Sequence, residues 1–347
     1  MHIHEYMFAA FAIISILLAS SLMLTISSEP LKVVSERENL KAIAQSILTQ
    51  IILSPGDPIN WGSNTAINGS NLKSFGLAYQ SRTTKEAYVL DPDKISRLNV
   101  ANPFYISPLQ VRDLLGLSAE YGFTIEVLPA LDINVSMREL GKYEVSVRST
   151  YDGMPIQNVN ITARIYYLEY DGRIHALPED SSKYNVTGYD GKCNISFGEL
   201  SGDLSAVAIF IINYHSVRTV KVIGHNIKWA YLTGRVLSLN FTALEVIAHI
   251  KGERYEIEEI NSEVGFMDEG LYALGYIEPK LVAVLAVVEE SGSGEKSIVL
   301  AARDMSLTYG TVSLLSASLP LGFVIEKVVM VDEFSYILRL YVWRLVW

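Results

Sequence analysis

The chain has 347 residues, half of them hydrophobic, one cysteine and a net charge of -10. That length holds two or three domains with cores of their own, and the acidic balance speaks against nucleic acid, whose phosphates need a basic face. The lone Cys193 excludes an internal disulfide framework and a cysteine-rich zinc site, and is expected as a small buried hydrophobe in a strand.

The N-terminus carries the strongest pattern. Residues 7–26, MFAAFAIISILLASSLMLTI, are free of charge, and as a helix rising about 1.5 Å per residue they match a hydrocarbon core of about 30 Å. They predict a single-pass anchor in the lipid bilayer. A cleaved signal peptide fits less well, because MHIHEY before the run has no Lys or Arg and the run outlasts an ordinary signal core. Lys32, Arg37 and Lys41 follow the span and by a literal count would keep the rest of the chain in the cytoplasm. They alternate with Glu29, Glu36 and Glu38, however, and long domains translocate regardless of such a bias. Asn-x-Ser/Thr sequons at Asn68, Asn134, Asn160, Asn185, Asn194 and Asn240 point the other way, to an exported ectodomain with candidate glycosylation sites.

Beyond the span the pattern becomes one-sided. Leu40, Ile43, Ala44, Ile47, Leu48 and Ile51 fall on one stripe of a helix. A helix running from Met7 to Leu53, with a kink near Pro30, would be about 70 Å long. Its outer half must bury that stripe against the chain's own β-rich part or against neighbouring copies. The segment SPGDPINWG then stops it: Ser54 and Pro55 end the helix, Gly56 supplies a positive φ, and Pro58 stiffens the exit. Trp61 is expected to pack back as an apolar plug at this junction.

A short mixed block follows. FGLAYQ precedes LDPDKISRLN, where Asp91 stands as an N-cap and Pro92 as the first helical residue. Ser107 and Pro108 open a second short helix, with Leu109, Val111, Leu114, Leu115 and Leu117 expected inside and Gly116 at its end. GFTIEVLPAL, from Gly122, reads as a strand. From Tyr143 to Gly224, strands such as YEVSVRST, NVNITARIYYL, CNISF, AVAIFIINY and VRTVKVIG recur with Asp-Gly turns in YDGMP and YDGK, the pattern of a β-sandwich. Through "DGMPIQNVNITA" and "VTGYDGKCNISF" this part resembles the immunoglobulin-like domains of bacterial and archaeal surface proteins.

The remainder is also strand-rich, with WAYLTGRVLSLNF, ALEVIAHI, KLVAVLAVVEE, KSIVLAARDM and a terminal SYILRLYVWRLVW that reads as a covered strand. The expected fold is therefore α+β, mostly β. Its units are residues 1–53, the anchor continuing as an amphipathic helix; 54–131, a mixed segment packing with the C-terminal domain; 132–225, an immunoglobulin-like sandwich; and 226–347, a C-terminal β-rich domain.

Signs of chemistry are weak. SGSGEKS, Ser291 to Ser297, has Glu295 between glycine and lysine and leads into a strand, which makes it a hairpin loop and not a phosphate cradle. His175, His215, His225 and His249 lack metal-ligand spacing. Glu256, Glu258 and Glu263 could collect a cation but lack the pattern of a calcium loop, so a solvated strand face is expected there. No nucleophile motif stands out. The expectation is a non-enzymatic protein without cofactor or metal.

The order of parts resembles archaeal surface proteins of pilin-like build: a span continuing as an amphipathic helix, then "SPGDPINWG", "FGLAY", "LDPDKISRL", "LLGLSAEYGFTIEV" and a C-terminal "LRLYVWR". The resemblance covers the first 130 residues and the last dozen, with the sandwich as an insertion. It implies a helix that serves as anchor and a β domain facing outward. Glu5 stands where mature pilins carry a glutamate, while MHIHEYMF lacks the basic and small residues of a prepilin cleavage site. The expected function is a membrane-anchored structural or interaction protein of the cell envelope, its ectodomain outside. The alternatives are a self-associating filament subunit and a surface module binding sugar or peptide through exposed aromatics.

Overall fold

The computed structural model describes residues 14–18, 20, 36–80, 85–169, 174–177, 182–198, 200–202, 204–240, 243–251, 265–268, 270–275, 282–290, 296–302, 305–311 and 322–345. Residues 14–18 and 20 are helical, and helix α1 covers 36–53. The rest of the 7–26 run and Pro30, and with them the continuity of the helix expected from Met7 to Leu53, lie outside the described residues. Among the described residues no helix is long and apolar enough to cross a membrane.

The strands form three units. The first is a six-stranded sheet ordered β1 (Ala78–Gln80), β2 (Lys85–Leu90), β21 (Gly322–Val331), β22 (Phe334–Arg344), β3 (Tyr121–Pro129), β20 (Leu307–Gly310). All its pairings are antiparallel except β2 with β21. Alternation sets its faces. Phe123, Ile125 and Val127 join Leu338, Leu340 and Val342 in one core with Leu40, Ala44, Ile47, Leu48, Ile51 and Ile52 of α1. The helical stripe is thus covered by the chain's own sheet, while Glu36, Glu38, Gln45, Ser46 and Thr49 stay exposed. On the opposite face Arg339 reaches Glu126 at 3.3 Å and Glu326 at 3.0 Å, residues that stand directly across from it on the two neighbouring strands.

Two short helices, α2 (Pro92–Ser96) and α3 (Pro108–Leu114), connect β2 to β3. The Asp91 side chain caps α2 by accepting from Asp93 N at 3.0 Å, with Pro92 in the first turn. In α3, Val111 is buried, and Leu115 and Leu117 just after the helix are buried too, but Leu109 is 55% exposed. The expectation that Leu109 lies inside is corrected: α3 is too short to bury more than one side, and Leu109 is on the other.

The second unit is a sandwich. One sheet is β4 (Leu131–Glu139), β5 (Lys142–Ser149), β9 (Lys192–Ser196); the other is β11 (Val217–His225), β10 (Ala206–Tyr214), β6 (Asn160–Leu168), β7 (Ile174–Leu177), with β8 (Lys183–Val186) also on β6. This order, with β5 central in one sheet and β10 between β6 and β11 in the other, is that of an immunoglobulin-type domain. Val145, Val147, Ile161, Ala163, Cys193, Ile195, Ala208 and Phe210 fill the space between the sheets. Burial there pushes the Cys193 thiol up to about 11. The unbroken apolar run of β10 follows from having both faces covered: Ala208, Phe210 and Ile212 face the sandwich core, and Val207, Ile209 and Ile211 join the core of the first unit. Arg218 of β11 pairs with Glu333 at 2.8 Å and lies over the Phe334 ring, tying the sandwich to the turn between β21 and β22.

The third unit comprises two four-stranded sheets. One is β12 (Lys228–Trp229), β19 (Lys296–Ala302), β18 (Ala283–Glu290), β15 (Ala243–Lys251); the other is β13 (Tyr231–Thr233), β14 (Val236–Ser238), β17 (Leu271–Ala273), β16 (Gly265–Asp268). Residues 226–347, expected as one domain, are therefore divided, because β20, β21 and β22 complete the first sheet beside β2 and β3. Alternation fixes which face of a strand is buried and leaves its partner open, so this division could not be read from the pattern.

Two buried phenols make alkaline stability a test of the packing. Tyr143, between Phe197 and Phe210, and Tyr166 are both pushed up to about 12 by burial. An unfolded tyrosine ionises near 10, so between pH 10 and 12 the unfolded chain releases protons that the native state retains. Stability present below pH 10 is then lost by about 1.4 kcal/mol per pH unit for each tyrosine, until both states ionise near 12. Urea midpoints measured from pH 7 to 11 should fall above pH 10, and the fall should be shallower in Tyr143→Phe. A flat midpoint through pH 11 would show that these rings are not sealed.

Candidate functional site

The junction after α1 is built around Trp61 and Arg97. The returning chain closes the helix end, with Leu77 N donating to Ile51 O at 2.8 Å and Ala78 N to Ser54 O at 3.0 Å. Gly56 sits at φ +78°, and a Cβ there would lie 2.8 Å from both Ser74 O and Trp61 Nε1. Conformation and space both require glycine at this point. Trp61 is fully buried; its Nε1 donates to Pro55 O and Gly76 O, each at 3.1 Å, and its ring packs on Phe75 at 5.8 Å.

Arg97, at the end of α2, is 1% exposed and lies over the Trp61 ring. Its guanidinium donates to Phe104 O at 2.8 Å, to Asn64 O at 3.2 Å, and to the carbonyls of Trp61 and Ile67. The partners are all carbonyl oxygens, and burial lowers its pKa to about 10. Lys94 is likewise enclosed, donating to Ala78 O at 2.8 Å beside Asp91 at 3.6 Å; burial lowers its pKa while Asp91 opposes the shift. Sequence reading missed both cations, because a buried charge satisfied by an irregular loop follows no periodic rule.

The same junction holds the third unit. Ser96 Oγ donates to Leu232 O at 3.0 Å, and Asn102 Nδ2 to the buried Thr233 Oγ1 at 3.0 Å. Gly234, at φ +58°, lets the β13–β14 turn approach so closely that a Cβ would stand 2.5 Å from Ser63 O.

Two clefts open beside this contact, and Trp229 lines both. One, of about 470 Å³, is bordered by Ser96, Asn99, Lys221, Trp229, Met305 and Ser306, and so brings residues of all three units together. The other, of about 660 Å³, is bordered by Pro103, Lys228, Trp229, Tyr231, Ser238 and Asn240. Both volumes lie within the range of roughly 300–1,000 Å³ typical of ligand sites. Trp229 as a residue is 53% exposed. The exposed Trp229 thus stands beside hydroxyls, an amide and lysines at the cleft walls. The expected strand WAYLTGRVLSLNF contained this tryptophan without marking it; the signal available was its near-symmetry with Asn240 about Gly234.

The sequon asparagines Asn68, Asn134, Asn160, Asn194 and Asn240 are exposed, and Asn185 is half-buried. Four of the six sites, Asn134, Asn160, Asn185 and Asn194, are on the sandwich. Asn185 Nδ2, the atom that would carry a sugar, donates to Asn194 O at 2.6 Å. His215 lies in the turn before β11, and His225 is the last residue of that strand. Among the described residues no three His, Cys, Asp or Glu side chains gather closely enough to hold a metal ion. Glu256, Glu258 and Glu263, and the loop residues 291–295, lie outside the described residues.

No family model matches the chain, and no curated protein does. Among solved structures it is similar to an I-band fragment, I67–I69, of titin, at 9% identity and a TM-score of 0.15, covering 64% of this chain and 89% of that one. The E-to-A variant of the same three immunoglobulin domains gives the same values. At that TM-score the likeness carries no argument, and the assignment of the sandwich rests on its strand order.

Proposed function

We propose that the protein is a membrane-anchored structural and interaction protein of the cell envelope, pilin-like in build, with its β-rich body outside the cell. The build of the first unit carries this reading. An uncharged run at residues 7–26 precedes a helix whose apolar stripe closes on a mostly antiparallel sheet. The run enters the bilayer as a single-pass anchor, and α1 joins it to the sheet. Exposed sequon asparagines on the sandwich and at Asn68 and Asn240 support an outside location. The polar outer stripe of α1 favours a separate envelope component over a filament subunit, since the apolar side of this segment is already covered by its own sheet.

Protease treatment of intact cells tests the reading. Digestion of the β units without lysis is the expected result. Protection in intact cells, with digestion only after lysis, would place the body inside and end the proposal.

A further inference from the structure

We infer that the cleft beside Trp229 is the seat of the chain's own glycan, attached at Asn240 and stacked on the Trp229 indole. This rests on the exported location proposed above. Within the hairpin, Tyr231 stands across from Ser238. Extending that register by two residues sets Trp229 across from Asn240. The two strands part at this point: Lys228 and Trp229 turn to pair with β19, while Leu239 N donates to Gly270 O. The cleft opens where they separate, with Trp229 from one strand and Asn240 from the other.

Two observations fit a sugar there. Trp229 is exposed, and the C–H face of a pyranose is the apolar surface that matches an indole face. Tyr231, Pro103 and Lys228 border the same cleft and extend the surface beside the indole. Attachment also favours this occupant over a free saccharide, since a tether at the rim holds the first sugars at an effective concentration on the order of millimolar.

The modification uses a lipid-linked oligosaccharide phosphate as donor. The Asn240 amide nitrogen bonds to the sugar's C1, the C1–O bond to the lipid phosphate breaks, the phosphate leaves with that electron pair, and the transferase takes up the amide proton. Asn68 is the control, since it is an exposed sequon outside this cleft.

The full-length protein, purified from the cells that make it, should carry sugar mass on the Asn240 peptide. In hydroxyl-radical footprinting Trp229 should oxidise several-fold faster in Asn240→Gln, and faster also in wild type after enzymatic removal of the sugar, while Asn68→Gln leaves it unchanged. An unmodified Asn240, or Trp229 oxidation that ignores the sugar, overturns the inference. If surface digestion of intact cells succeeds in that case, only this inference falls. Protection of the body from protease would instead mark failure of the exported reading itself.

Discussion

Trp61→Ala should lower unfolding stability by about 3–5 kcal/mol, the usual cost of emptying a large aromatic site in a core that collapses only in part. Trp61 is completely enclosed and closes the end of α1 against Phe75 and Arg97. Two separable contributions are at stake, volume and the two hydrogen bonds from Nε1. Trp61→Phe keeps most of the first and none of the second, so it should cost an intermediate amount, about 1–3 kcal/mol for acceptors left buried. Urea unfolding of the three proteins measures this order. A Trp61→Ala midpoint equal to wild type would mean that the junction does not depend on the indole.

Arg97→Met should be of comparable severity, about 3 kcal/mol or more, although it removes no core hydrocarbon. Its guanidinium serves carbonyls of Trp61, Asn64, Ile67 and Phe104. Losing it leaves several buried acceptors unpaired, at about 1–3 kcal/mol each where no rearrangement restores a partner. Arg97→Lys should rescue little, because an ammonium lacks the planar fork that reaches carbonyls on two separate loops. Hydrogen exchange locates the damage: amides of residues 61–72 should lose protection before those of the sandwich core. Equal loss throughout the chain would show that Arg97 acts on global stability and does not organise the loop.

Much of the first unit was legible. The stripe from Leu40 to Ile51, the stop at Ser54 and the cap at Asp91 are local signals, set by helical period, proline geometry and side-chain capping, and such signals act within a few residues. What was illegible depends on the assembled fold. Leu109 looked as apolar as Val111, and only the position of α3 against its neighbours separates them. Arg97 and Lys94 carried no signal in the sequence, because their partners are mostly backbone oxygens 16 to 36 residues away along the chain. The cleft was hidden for a related reason: Trp229 and Asn240 belong to one hairpin by sequence, but the opening between them depends on β19 drawing one strand away.

The place of β22 between β21 and β3 has a consequence for biosynthesis. The first sheet lacks its middle until the ribosome has passed Phe334, long after Pro129 has emerged. Domains made early generally fold as units while synthesis continues. The sandwich, whose strands all lie between Leu131 and His225, can close in that interval, whereas α1 and β3 must wait with their apolar faces uncovered. An emerging chain of this kind needs protection at its beginning until its last strand arrives, and premature termination before Phe334 would release a folded sandwich flanked by a sticky, unfinished base.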